Sequence, residues 1–234
     1  MLELVDLHAN YGRSHIIQGV SMKVELGSGV GLAGHNGVGK TTTLRSIMAD
    51  GPRTEGKVSF QGDDLSGART GTRVRKGLGL VPDEEAVFPK MSVEENIRIG
   101  TFIQGGAKAA QALEVAYELF PILKERRAQL AGTLSGGQQK MLALARGLAL
   151  EPKLILVDEP SEGLMPINVE LISRALRKAV QGGTGVLVVD SSFDLLKTVC
   201  DRVYVMQTGV LTGEYPMDRF ANPDQLVATY LGEA

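Results

Sequence analysis

Two hydrophobic rhythms divide the chain. Over the first 25 residues apolar and polar side chains take turns, in LELVDL and then IIQGVSMKVEL, and this period of two predicts antiparallel strands. GVGLAG (29–34) reads as a short buried strand that runs through glycines into KTTTLRSIMAD, a predicted helix. GKVSFQGDDL returns to a strand with a turn, and LGLVP (78–82) is another buried strand. From about 92 to 150 the rhythm lengthens. SVEENIRIG opens with a capping box of Ser92 and Glu95, AAQALEVAYELF repeats at a helical period, and the stretch predicts a helical lobe. Strand and helix then alternate through LILVD, INVELISRALRKAV, GVLVVD, SFDLLKTVC and RVYVM. MQTGVL (206–211) reads as a hairpin, and a terminal helix is expected near Pro223. Apolar strands separated by helices predict a mainly parallel sheet covered on both faces.

At 234 residues the chain suits one core with an attached lobe better than two full α/β domains. The expected organisation is a single domain, with residues 1–90 and 151–234 supplying the sheets and about 91–150 a helical sub-domain. Lys and Arg total 25 against 27 Asp and Glu, so no basic field points to nucleic acid. The short basic stretches RVRK (73–76) and KERR (124–127) read as solvated faces. The longest apolar runs, LILV and GVLVV, fall far below the ~20 residues of a membrane helix. MLELVDLHAN has no cationic lead-in to an apolar segment, so it does not read as a secretory signal, and residence in the cytoplasm is expected. The lone Cys200 cannot form an internal disulfide and reads as a buried structural thiol.

Candidate chemistry begins at GHNGVGKTT, a phosphate-loop pattern of Gly34, His35, Asn36, Gly37, Val38, Gly39, Lys40, Thr41 and Thr42 set between a predicted strand and a predicted helix. Its glycines let backbone N–H groups converge on phosphate oxygens, and the dipole of the following helix adds positive potential. Lys40 can reach the β and γ phosphates, and Thr41 can offer its hydroxyl to Mg²⁺. His35, at an unconstrained position of the pattern, reads as a solvent-facing loop residue. LILVDEP places Asp158 at the carboxyl end of a buried strand, where it can hold Mg²⁺ through a water. Glu159 then serves to orient and polarise the water that attacks the γ-phosphate. Tyr11, in a loop flanked by Gly12, can stack on adenine, although a plain surface or core tyrosine fits its sequence context equally well.

TLSGGQQKMLALARG (133–147) presents a second grip. Ser135 and Gln138 have the spacing of an ordinary capping box, but Gly136 and Gly137 in the first turn each cost up to ~1 kcal/mol relative to Ala. Uncovered N–H groups there suit a close-approaching anion. One terminal phosphate is already mostly surrounded by the first cradle, so two chains arranged head to tail, each capping the nucleotide of the other, satisfy both grips.

LSGGQ between GHNGVGKT and LILVDEP resembles the nucleotide-binding domain of ABC transporters, in three ordered motifs over nearly the whole chain. The resemblance implies an α/β P-loop NTPase with a RecA-like core, an N-terminal antiparallel β sub-domain and a helical sub-domain. It also implies ATP and Mg²⁺ as ligands, and an ATP-closed dimer, reopened by hydrolysis, that drives membrane permease subunits. The stretch from LSGGQQKM to GLMPI looks most like the smaller ATPase of branched-chain amino-acid importers. That branch implies a second ATPase subunit, permeases, a periplasmic solute-binding protein and a place on the cytoplasmic face of the membrane. Two positions depart from the family. Asp83 stands where a glutamine is usual, a hard oxygen ligand for Mg²⁺ without the amide donor. Ser191 replaces the switch histidine and reaches a γ-phosphate less far, so slow hydrolysis, or reliance on a partner ATPase for the faster site, is expected. A non-transport ABC ATPase and a regulatory module with a decayed site are the competing readings. The absence of long heptads and of a second cassette opposes the first, and Asp158 with Glu159 opposes the second.

Overall fold

The structure, a computed structural model, describes residues 1–84, 86–101 and 108–231. β1 (Leu2–Tyr11) and β2 (Ser14–Val24) pair antiparallel, as their alternating pattern predicts. β3 (Gly29–Ala33) leads into α1 (Lys40–Met48), β4 (Arg53–Phe60) pairs with β1, and β5 (Asp63–Asp64) turns back on β4. α2 (Thr70–Lys76) feeds β6 (Leu78–Val81). The helical stretch forms α3 (Val93–Gly100), α4 (Ala109–Leu119), α5 (Pro121–Glu125) and α6 (Gly136–Leu148). β7 (Leu154–Asp158), α7 (Pro166–Gln181), β8 (Gly185–Val189), α8 (Phe193–Val199) and β9 (Arg202–Gln207) resume the alternation. β10 (Val210–Pro216) completes a hairpin with β9, and α9 spans Pro223–Leu231.

The strands form an antiparallel sheet in the order β2-β1-β4-β5 and a larger sheet in the order β10-β9-β3-β8-β7-β6. From β9 to β6 the larger sheet is parallel, and β10 joins its edge antiparallel. Both faces of the parallel strands are buried. Leu154 and Leu156 of β7 enter a core shared with the antiparallel sheet and α1, whereas Ile155 and Val157 enter the core that holds α6 and α7. β8 repeats the division with Leu187 and Val189 against Val186 and Val188. Each such side chain gains roughly 1.5–3 kcal/mol on burial. A one-residue slip would exchange the two sets, so the pairing of Leu156 with Leu187 is firmly specified. α6 belongs to both parts of the molecule, packing on α3 and α4 and also on β6 and α7.

RVRK is not a solvated face throughout. Arg73 is fully buried, and its five N–H groups meet the carbonyls of Ser46, Ile47, Leu65, Ser66 and Ala68 at 2.6–3.3 Å. Two of these carbonyls belong to the last turn of α1, so the guanidinium caps the helix that follows the phosphate loop. Burial lowers its pKa from the ordinary arginine value. The pattern missed α2 because TGTRVRK carries no apolar period and its N-cap, Arg69, makes no side-chain cap hydrogen bond. Lys124, Glu125 and Arg127 of KERR are exposed, as expected. Cys200 is buried at the end of α8, and burial pushes its thiol pKa far up, leaving it inert.

Candidate active site

Open parallel sheets present ligand groups beyond the carboxyl ends of their strands. Here β3 and β7 deliver the phosphate loop and the Asp158–Glu159 pair to that edge. Gly39, at φ 112°, turns the chain into α1 in a conformation that L side chains rarely adopt, and a Cβ there would lie 2.7 Å from Ile17. The loop is braced from behind, since Gly209 of the β9–β10 turn donates its N–H to the Val38 carbonyl at 2.9 Å. His35, Asn36 and Gly37 are exposed at its rim.

Lys40 is only 4 % exposed, and its ammonium donates to the carbonyls of Gly34 and His35 at 2.9 and 3.0 Å. Burial lowers its pKa, while Glu159 and Asp158 pull the other way. Thr41 donates its hydroxyl to Asp158 Oδ1 at 3.1 Å. Burial raises the Asp158 pKa, and the Thr41 hydrogen bond opposes the shift. A hydroxyl and a carboxylate in mutual contact at the mouth of a phosphate loop are the hard oxygen donors that Mg²⁺ takes, so the residues present fit that ion. A hollow of about 260 Å³ lies alongside, lined among others by Tyr11, Asn36, Gly37, Lys40, Thr41, Thr42 and Glu159. The structure therefore brings Tyr11 to the loop, at 39 % exposure.

Glu159 sits at φ 41°, a left-handed conformation unusual for a residue with a Cβ. Its N–H donates to the Val189 carbonyl at 2.8 Å, and its own carbonyl accepts from Lys140 Nζ at 2.7 Å. Its carboxylate lies 3.9 Å from Lys40 Nζ. Burial, followed by the neighbouring Glu162 carboxyl, raises its pKa to about 7, with Lys40 opposing. A carboxylate poised near neutrality suits general-base work.

Asp83 faces Lys140 of α6, 3.0 Å away, and one oxygen each of Asp83, Glu159 and Glu162 lie within 4.8 Å of one another. Ser191 is exposed just beyond β8. Beside it the buried Asp190 accepts from the Ser161 hydroxyl at 2.6 Å and from the N–H groups of Ser161 and Ser192 at 2.9 and 2.7 Å.

Ser135 and Gln138 form the predicted capping box of α6. Ser135 and Gly136 are exposed, and a Cβ on Gly136 would meet nothing within 4 Å. Gly137 differs: it is buried, and a Cβ there would lie 2.6 Å from Nδ2 of Asn168 in α7. The second glycine is thus covered within its own chain, a correction to the expectation that both leave the helix end bare.

Sequence reasoning missed Lys140, Glu162 and Asp190. LVVD repeats the strand-ending aspartate of LILVD, which was a usable signal for Asp190. Lys140 and Glu162 carried none, because their partners are 57 and 3 residues away and only the fold makes them neighbours of the same loop.

The profile of the family described as ABC transporter matches residues 17–162. The chain is 36 % identical over 209 residues to the high-affinity branched-chain amino acid transport ATP-binding protein BraG of Pseudomonas aeruginosa, covering 89 % of this chain and 90 % of that protein. It is 33 % identical over 225 residues to the lipopolysaccharide export system ATP-binding protein LptB of Escherichia coli, covering 95 % and 93 %. A solved ATP-binding subunit of an ABC transporter superposes with a TM-score of 0.85 at 24 % identity, over 99 % of both chains, a likeness that speaks for the fold alone.

Proposed function

The chain belongs to the ABC transporter family and is an ATP hydrolase coupled to transmembrane transport, and on that premise we propose that it powers an importer of branched-chain amino acids or related small polar solutes. The observation that carries the catalytic part is the convergence of Lys40, Thr41, Asp158 and Glu159 on one loop mouth. Lys40 exchanges its loop carbonyls for phosphate oxygens, and the N–H groups of Asn36 to Thr42 hold the phosphate chain. Tyr11 stacks on the base. Mg²⁺, when bound by Thr41 and Asp158 with Asp83 as a further acidic donor, neutralises phosphate charge. Glu159 takes a proton from the attacking water, and Ser191 reaches the terminal phosphate from the far side.

The open end of α6 completes the arrangement in a dimer. Ser135, Gly136 and Gln138 cap the nucleotide of a second subunit, whether a copy of this chain or a related ATPase. Among the described residues no helix is long and apolar enough to cross a membrane, so transport requires contact with a permease. A groove of about 560 Å³ between β6, α3 and α6 offers that contact, lined by apolar Leu80, Phe88 and Ile99 and by charged groups in which Arg75, Lys76, Arg146 and Lys153 outnumber Glu151. Its charge suits a short permease segment with apolar side chains and an acidic end. In an importer a periplasmic solute-binding protein would act on the permease from the opposite side, with this subunit on the cytoplasmic face.

Lipid export is a second reading, favoured by the longer coverage of the match to LptB. Uptake of labelled leucine, isoleucine and valine by cells carrying Lys40→Ala separates the two. Uptake should fall to background while lipopolysaccharide reaches the surface normally. The reverse outcome replaces import with export.

A further inference from the structure

Three carboxylates crowd one side of the site, and their mutual repulsion needs an answer. Asp83, Glu159 and Glu162 each bring an oxygen within 4.8 Å of the others, while Lys40 is engaged with its own loop and lies 3.9 Å from Glu159. The answer comes from Lys140. Its side chain is 19 % exposed, and its ammonium meets the Asp83 carboxylate at 3.0 Å and the Glu159 carbonyl at 2.7 Å. It therefore neutralises one member of the cluster and also fastens the main chain of another. That main chain is the left-handed turn at Glu159, whose carbonyl also accepts a longer hydrogen bond from the Glu162 N–H, at 3.3 Å. A lysine near the start of a helix gains nothing from the helix dipole, so its position calls for a local partner.

Lys140 also lies two residues beyond Gln138 on α6, the helix whose open end is Ser135 and Gly136. Gly137 seats the same turn against Asn168 of α7. The first two turns of α6 are thus joined to the catalytic loop of their own subunit by the Lys140 ammonium, and they rest on α7 at Asn168.

We propose that Lys140 is a positioning residue that ties the loop of Asp83 and the main chain of Glu159 to α6, so that the carboxylate of one nucleotide site and the phosphate-capping tip offered to the other site move as one piece. The proposal rests on the head-to-tail ATPase reading above. A tip drawn toward a partner's nucleotide pulls on the carbonyl of its own Glu159, and the two sites fire together. Without the ammonium, each site keeps its phosphate loop and loses its link to the other.

The test uses the purified full-length chain and its Lys140→Met and Lys140→Arg variants. Steady-state hydrolysis is followed against ATP concentration, and binding of a fluorescent ATP analogue is titrated in EDTA. Lys140→Met should lower kcat about tenfold and bring the Hill coefficient close to 1, with analogue affinity within about twofold of wild type. Lys140→Arg, which keeps the charge and both contacts, should recover kcat to within about threefold. Unchanged kcat and Hill coefficient in Lys140→Met would overturn the proposal while leaving the ATPase reading intact. Equal losses in Met and Arg variants, with matching falls in melting temperature, would reduce Lys140 to a structural residue and overturn it as well. A wild-type chain that binds no analogue and hydrolyses no ATP would sink the underlying reading, and the proposal with it.

Discussion

Two helix starts in this molecule are built to face phosphate, and they are finished to different degrees. The start of α1 is walled in: Lys40 is almost fully buried, the Val38 carbonyl is bonded from the β9–β10 turn, and a Cβ on Gly34 would lie 2.3 Å from the Met206 carbonyl. The start of α6 is bare on its outer side, with Ser135 and Gly136 exposed and open space above Gly136. In the head-to-tail reading proposed above, the first holds its nucleotide with groups of one chain, and the second is the half of a site that a phosphate on another molecule would complete. In that reading the same element of backbone chemistry, unsatisfied N–H groups at a positive helix end, would serve once for holding and once for closing.

If the α1 region holds nucleotide without help, chemistry can be removed from it with binding left in place. Glu159→Gln should lower kcat at least ~100-fold and leave the affinity for Mg-ATP within about threefold. It should also accumulate as a dimer with ATP in size exclusion, because closure outlasts the missing hydrolysis. The wild type supplies a matching pH limb. Burial and Glu162 hold the folded pKa of Glu159 at about 7, above its ordinary 4.5. The base form gains population as pH rises through 7, so kcat should climb about tenfold between about pH 6 and about pH 8, and Glu159→Gln should lose this dependence. For stability the sign is opposite. Between the ordinary carboxylate pKa and about 7 the folded state binds the extra proton, so this group stabilises the fold at the acid end and loses that contribution as pH rises. A flat rate profile in the wild type would remove Glu159 from the role of base.

A site finished within the chain must depend on what stands behind it, and there the decisive group is Arg73. Arg73→Met removes five donors: the carbonyls of Ile47, Ser66 and Ala68 lose their guanidinium partner, while those of Ser46 and Leu65 keep the N–H groups of Ala49 and Ala68. The expected loss is about 3 kcal/mol in urea unfolding, with Mg-ATP binding weakened because α1 loses its C-terminal cap. A loss below about 1 kcal/mol would mean that water replaces the guanidinium and that the loop is less dependent on its backing.

What the sequence disclosed follows the same division. Periodicity located the strands and most helices, since burial on two faces forces a readable pattern into β3, β7 and β8. The phosphate loop was legible because each of its glycines, its lysine and its threonine answers a local geometric demand. Arg73 was misread because four residues of basic sequence look alike whether they point to water or to carbonyls; the distinction lies in Ser46 and Leu65, which only the fold brings near. Gly137 was misread for a related reason. It is covered by Asn168, thirty-one residues away, and a glycine covered within its own chain cannot be told by composition from one left open to an anion.

That ambiguity gives the α6 region its own test, in which stability and activity part. Gly136→Ala adds a methyl that meets nothing within 4 Å, and alanine is the better helix former by up to ~1 kcal/mol. The isolated chain should therefore melt no lower than wild type. Hydrolysis should nevertheless fall about tenfold, because the methyl occupies the surface that a partner's terminal phosphate must approach. Full activity in this variant would show that nothing comes close to Gly136, and the α6 start would revert to an ordinary capped helix.

The smallest effect concerns the wall that neither helix start provides. Ser191 stands exposed beside Asp190, whose carboxylate already fixes Ser161 and the turn at Ser192. The backbone there is firmly held, and only the reach of the side chain is short. In the proposed site a serine hydroxyl would contact the terminal phosphate through a bridging water, at a cost of up to ~2 kcal/mol of ordering, whereas an imidazole on the same backbone can donate directly. Ser191→His should raise kcat about threefold without changing ATP affinity, since the added contact forms only once the γ-phosphate is being displaced. Measured beside Gly136→Ala, it also separates the two regions. An equal proportional gain in both backgrounds means the far wall acts within one chain's own site. A gain that vanishes with Gly136→Ala means the imidazole matters only after the partner's helix has closed over the phosphate.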